Sequence, residues 1–417
     1  MSFTLNNEIS FSDSPNIDAF GRLRTSNPQA LFSFNQTLTS GATIMETYTS
    51  GGTVTFNSGA SETQFNVTAN GHRVLREQHG YNIYQPGKSQ LIFLTGVFGT
   101  PTANVTKRMG YYNDENGLFF SQTGGTNTFG VVLRSDTSGS IVDTFIPQSQ
   151  WNLDTLDTGN TLNPSGIHLD VTKTNIFLIN FQWLGVGRVI FGLDIDGVII
   201  PVHQILNANN KTSVYMRTPN LPVRYEVTSQ GGTDNTFKQI CSSVISEGGQ
   251  EQFGFTTAVS NGLNTRTFAS EQAVISVRLS QLFKGRTNRI SIIPLSIDLL
   301  TTTTTVTAEW KLILQRGFAG ENNLGGSPTW NAWTATTEGT LLEYSTNGTI
   351  VTGGTVLDSG YVFTTNQVGS KSTNSIVRSK DFLSLDFSGT TSDWLHLVVS
   401  PSVSSSWSGK ISLLAQY

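Results

Sequence analysis

The sequence predicts an all-β protein: an extended N-terminal arm followed by two β-sandwiches. Three observations lead there. Charged residues make up only 13% of the chain, against roughly 25% in an ordinary soluble domain. Surface polarity therefore falls to Thr, Ser, Asn, Gln and Gly. With 41 glycines and conspicuous Thr runs, few stretches favour helix and many favour strands joined by tight turns. Finally, apolar and polar residues alternate over several segments, which is the period of a half-buried strand.

At 417 residues, and about 150 residues per domain, two or three domains are expected. Residues 1–35 read as an arm, because Phe3, Leu5, Ile9 and Phe11 are too sparse to build a core. From 36 to 250 the pattern is strand after strand. Leu91–Phe98 is a continuous apolar run that suits a central buried strand. Ile179, Phe181 and Trp183 alternate with Asn180 and Gln182, and Val189, Phe191, Leu193 and Ile195 alternate with polar or small residues. The second run meets Asp196-Gly197 and then Val198–Val202. An Asp-Gly pair between such runs is the strongest short-range hairpin signal, since a type I′ turn needs positive φ at both central positions. A hairpin over roughly 188–203 follows, with Pro201 at an edge or bulge because it cannot donate to a ladder.

Thr218–Glu226, with Pro219 and Pro222, reads as a stiff connector entering another strand. A polar, glycine-containing stretch over 246–268 marks the boundary, and a second sandwich fills 251–417. There Ala273, Ile275, Val277 and Leu279 are expected on one face. Val306, Ala308, Trp310, Leu312 and Leu314 form a second such run. The β-branched run Thr301–Thr305 reads as strand or strand-edge loop, and the last strands as Trp394–Val399 and Ile411–Ala415. Many strands with long connections point to jelly-roll or lectin-like winding.

Composition also limits function. The net charge is −4 and no block of like charges occurs, so the concentrated basic surface that displaces counterions from nucleic acid is missing. The single cysteine, Cys241, rules out an intramolecular disulfide and a Cys-based zinc site, and it reads as a small buried hydrophobe. The N-terminus lacks a cationic region followed by an apolar one, so it does not read as a signal peptide. No apolar run approaches the length of a membrane-spanning helix.

Catalytic and ligand-binding patterns are sparse. Of the five histidines, His168 with Asp170, and His203, sketch a His-Asp-His metal site, but loop or strand-end polar roles account for them more simply. Asp194 and Asp196 lie two apart on one strand face, a spacing that suggests paired glycosidase carboxylates, yet Asp196 is already explained by the hairpin turn. Asp154, Asp157 and Asp170 lack the spacing of a calcium loop. Gly185-Val186-Gly187 lacks the third glycine and the crossover helix of a dinucleotide loop. Tyr81, Tyr84, Tyr111, Tyr112, Trp330 and Trp333 are candidates to stack sugars, or else core and interface aromatics. No catalytic residue, metal or cofactor is expected.

The most informative segment is Asp18–Arg24, which reads Asp-Ala-Phe-Gly-Arg-Leu-Arg. In an extended chain Arg22 and Arg24 fall on one side, and Phe20 and Leu23 add apolar surface. Such a strip is suited to docking onto a neighbour. On this segment the chain resembles a family of large β-rich virion proteins of tailed phages and some large DNA viruses, whose members open with the same residues. The resemblance continues at Tyr84–Ser89, Trp183–Val189, Thr218–Glu226 and, most specifically, Lys238–Gly249. It implies a non-enzymatic virion structural protein assembled in the host cytoplasm. It would be an exposed component of the capsid, as decoration or fibre base, or of the tail. Implied partners are copies of itself, with a trimer preferred, and other virion proteins, with neither nucleic acid nor membrane. The alternative expectation is a carbohydrate-binding adhesion protein that touches host surface glycans.

Overall fold

A computed structural model describes residues 27–124, 128–249, 251, 254–333, 339–364, 369–374 and 382–416. The docking residues Phe20, Arg22, Leu23 and Arg24 lie outside them. Among the described residues the protein is all-β, with two short 3-10 turns and every strand pair antiparallel. None of the described helices is long and apolar enough to cross a membrane.

The first sandwich stacks an eight-stranded on a seven-stranded sheet. The eight-stranded sheet runs Val198–Ile205, Val189–Ile195, Asn175–Phe181, Gln90–Val97, Lys238–Ser246, Glu62–Asn66, Thr53–Asn57, with Gln29–Phe34 also paired to Lys238–Ser246. Residues 29–34, which the sequence assigns to the arm, are thus a strand of this sheet. The seven-stranded sheet runs Val142–Pro147, Phe129–Ser135, Gly117–Thr123, Val105–Tyr112, Val223–Ser229, Arg73–Gln78, Met45–Ser50. Between them lies an aromatic-rich core. Phe98 meets Phe129, Phe177 and Phe237 with ring centroids 5.0, 5.4 and 5.5 Å away.

The second sandwich pairs a five-stranded sheet, centred on Ser405–Gln416 and Ser291–Thr301, with a six-stranded one. The latter runs Asn331–Trp333, Leu342–Ser345, Gln272–Leu279, Trp394–Pro401, Thr307–Gln315, Thr355–Phe363. Trp310, Leu312 and Leu314 meet Ile297, Trp407 and Ile411 in its core.

The expected hairpin forms between Val189–Ile195 and Val198–Ile205, with Asp196 at φ 53° and Gly197 at φ 83°. Asp194 Oδ1 accepts from the Gly197 amide at 2.9 Å and closes the turn. Pro201 sits in the terminal strand of its sheet, beside a bulge. Open space surrounds the position of a Cβ at Gly197, so Gly197→Ala meets only the cost of left-handed backbone, about 1–2 kcal/mol, read as a drop in the denaturant midpoint.

One alternation departs from expectation. A register shift between Ala273 and Ile275 lets Val274 join Ile275 and Val277 in the core. Ala273 is turned to the opposite face, beside Ile313 and Val398. A bulge inserts one residue and reverses the facing of everything before it.

Candidate functional site at the junction of the two sandwiches

Charged residues are scarce in this chain, yet several are buried where the sandwiches meet. The strand Arg73–Gln78 delivers His79 at its end, and Met45–Ser50 contributes Glu46. The second sandwich contributes Asp393, just before Trp394–Pro401, and Arg316, just after Thr307–Gln315. His79 Nδ1 lies 2.5 Å from Glu46 Oε1 and its Nε2 lies 2.6 Å from Asp393 Oδ2. Arg316 Nη1 donates to the same Asp393 oxygen at 2.7 Å, and the Gly317 amide to Asp393 Oδ1 at 3.0 Å. The Phe387 amide completes Glu46 at 2.7 Å. Phe318 and Phe382 cover the imidazole, with ring centroids 4.6 and 5.9 Å away.

Burial alone lowers an imidazole pKa, but the Asp393 charge and the two carboxylate hydrogen bonds outweigh it and raise His79 to about 9. Asp393 is held below its usual range: burial raises it, and His79 and Arg316 more than reverse that. Both imidazole nitrogens therefore donate to carboxylates. A general base needs a free nitrogen lone pair, and His79 has none to offer.

A second charged lattice covers the outward face of the seven-stranded sheet. Arg224 is fully buried, donates to Glu77 and lies 2.6 Å from Asp114. Its guanidinium stacks 5.2 Å from the Tyr112 ring centroid. Glu226 accepts from Arg73 at 2.6 Å and faces Arg108 at 3.5 Å. Burial raises Glu77 to about 7 against the pull of Arg224. Glu226 is lowered, because burial is outweighed by Arg224, Arg73 and Arg108. Glu77 and Glu226 are neighbours on one sheet face, as two glycosidase carboxylates would be, but each is engaged by arginine.

Beside the His79 cluster is a cavity of about 140 Å³. Gln29, Gln78, Asn82 and Gln416 line it together with Tyr81 and Phe382. Gln78 and Asn82 bond reciprocally at 3.0 and 2.8 Å, so their amide orientations are set. Gly80, at φ 77°, permits the close approach of Phe382; a Cβ there would lie 2.2 Å from Phe382 Cε2.

The residues singled out in the sequence are dispersed. His168 faces Asp157 at 3.9 Å on the surface. Asp170 caps its own turn through the Thr172 amide at 2.9 Å, and His203 Nδ1 accepts from the Asn152 amide at 3.3 Å. Among the described residues no group of three His, Cys, Asp or Glu side chains is arranged to hold a metal. Gly187 donates to Trp183 O at 2.7 Å in a tight turn. Tyr81, Tyr84, Tyr111 and Tyr112 are buried, Trp330 and Trp333 are half-buried, and Cys241 is half-buried and free.

Four of the segments that carry the family resemblance meet one another. The Tyr84 amide donates to Asn220 Oδ1 at 2.8 Å, and the Tyr84 ring lies edge-on to Trp183 at 6.2 Å. Ser89 Oγ donates to Glu247 Oε2 at 2.6 Å, and the Glu247 amide to Ser89 O at 2.9 Å. In this chain these segments build one packing unit.

Sequence spacing does not reveal His79, Glu46 and Asp393. The only signal is that charged residues are rare in this chain, and any that is buried requires a partner.

No protein-family model matches the chain, and no curated protein matches it either. Solved structures that resemble part of it include the legume lectin-like domain from Entamoeba histolytica, at 7% identity and TM-score 0.29, covering 52% of this chain and 94% of that one. The Emp47p carbohydrate recognition domain matches at 8% identity and TM-score 0.32, over 53% of this chain and 97% of that one. A family 16 glycosyl hydrolase protein from Mycobacterium smegmatis matches at 10% identity and TM-score 0.31, over 53% and 100%. At such identities and scores these likenesses assign no function.

Proposed function

We propose that this chain is a non-enzymatic structural protein whose work is mechanical joining of neighbouring subunits, on a virus particle as its sequence resemblance implies. The observation that carries the mechanical part is the His79 cluster, in which each nitrogen is held by a carboxylate and the two carboxylates come from different sandwiches. Such a cluster fixes one geometry and leaves no group free for proton transfer. Glu77 and Glu226, each paired to an arginine, support the same reading. The particle itself is argued from the resemblance, whose segments here serve packing. In this reading the Arg22 and Arg24 strip docks the arm on a neighbour.

The test is incorporation. Mass spectrometry of purified particles is expected to detect the chain. The double variant Arg22→Ala, Arg24→Ala is expected to fold normally and to be depleted from particles roughly tenfold or more, the scale of one lost charge-assisted pair. Absence of the unaltered chain from particles rejects the placement, and normal incorporation of the double variant rejects the docking role.

A second reading, carbohydrate binding, is favoured by the junction cavity, since its lining of amide and aromatic residues is of the type that receives the hydroxyls and apolar faces of a sugar. Saturable binding of the full chain to a neutral oligosaccharide on a glycan array would establish it. No binding at millimolar sugar leaves the structural reading alone.

A further inference from the structure

Across five of its strands the eight-stranded sheet carries apolar residues on both faces. Ile92, Leu94, Ile179 and Phe191 point into the core. Leu91, Phe93, Ile176, Leu178, Ile190, Ile199 and Ile245 alternate with the core-facing residues and belong to no core cluster. They form rows across the strands: Ile245 opposite Leu91, Phe93 opposite Leu178, Ile176 and Ile199 on either side of Asp194. Leu178 is buried at 2% exposure, Leu91, Phe93, Ile190 and Ile245 are half-buried, and Ile176 and Ile199 are 36% and 49% exposed. An antiparallel sheet with one wet face normally alternates apolar inward and polar outward. A strand that reads Leu-Ile-Phe-Leu suits a sheet covered on both sides.

We infer that this outward face packs against a second copy of the chain, sheet on sheet. Three features commit it to that partner. The six strands from Gln29–Phe34 to Val198–Ile205 carry only two residues of fixed charge, Asp194 and Lys238, and Lys238 is paired to Glu62 at 2.8 Å. A charged partner has little to recognise there, whereas a two-fold axis sets apolar rows on apolar rows. Six strands spaced about 4.8 Å apart and five residues at about 3.4 Å give a footprint of roughly 500 Å² per copy, or roughly 1,000 Å² per pair, which reaches the size of a specific interface.

Sedimentation of the full chain tests this. Unaltered protein is expected as a dimer at about 100 µM. Phe93→Asp is expected to weaken self-association by roughly tenfold or more while circular dichroism and the thermal midpoint hold. Should Phe93→Asp not fold, Ile176→Lys at a more exposed site of the same face provides the same readout. A monomer at that concentration overturns the inference and means that the N-terminal segment of the same chain, or another protein, covers the face. A folded Phe93→Asp or Ile176→Lys variant that stays dimeric overturns it as well.

Discussion

Replacing His79 by glutamine is expected to lower the unfolding free energy near neutral pH by roughly 3–5 kcal/mol, the cost of leaving Glu46 buried without its cation and Asp393 with Arg316 alone. Glutamine keeps the size of the side chain but presents an amide to Glu46 and Asp393. The pH dependence identifies the cause. The His79 pKa is about 9 in the folded protein and roughly 6.5 in an unfolded chain. Folded protein therefore binds the proton more tightly. The stabilisation is complete below pH 6.5 or so and is lost as pH rises through about 9, amounting to roughly 3 kcal/mol. Urea midpoints measured across that window should fall for the unaltered protein and run nearly flat for the His79→Gln variant. Parallel curves would remove His79 from its role. Glu77, raised to about 7 by burial, acts with the same sign at lower pH. His396 has the opposite sign. Burial lowers it to about 3, so its contribution is present above roughly pH 6.5 and lost on acidification.

Arg224→Met is expected to be comparably severe, costing roughly 3–5 kcal/mol, because Glu77 would be left buried beside no bonded cation. The double variant Glu77→Leu, Arg224→Met should recover most of that loss, since apolar replacements of a buried pair are often neutral or better. Among the described residues Arg224 Nη2 has no hydrogen-bond partner. Chemical denaturation of the two singles and the double forms a complete cycle. A double variant as unstable as the sum of the singles would show that the pair contributes packing rather than mutual compensation.

Local features of this fold are legible in the sequence. Asp196-Gly197 determines its hairpin, because few residues accept positive φ at both turn positions. Alternation correctly places Val306, Ala308, Trp310, Leu312 and Leu314 in one core. The Ala273 side is not legible, because nothing in period-two spacing announces a bulge. Sheet order is hidden as well, since the partners of Lys238–Ser246 come from positions spread along the first half of the chain. The junction site is the least accessible of all. His79 and Asp393 are 314 residues apart, and no spacing rule spans that distance. The apolar run Leu91–Phe98 is informative in a different way, since it specifies a strand with apolar residues on both sides.

The position of Ser405–Gln416 has a consequence for synthesis. This strand lies between Phe255–Ser260 and Ser291–Thr301, both far upstream. A growing polypeptide must hold those two segments unjoined until residue 405 has left the ribosome, and a transcript cut short of that point yields no closed second sandwich. Chaperone dependence and a slow final step in translation-coupled folding should therefore belong to the C-terminal half, while the N-terminal sheets can already be compact.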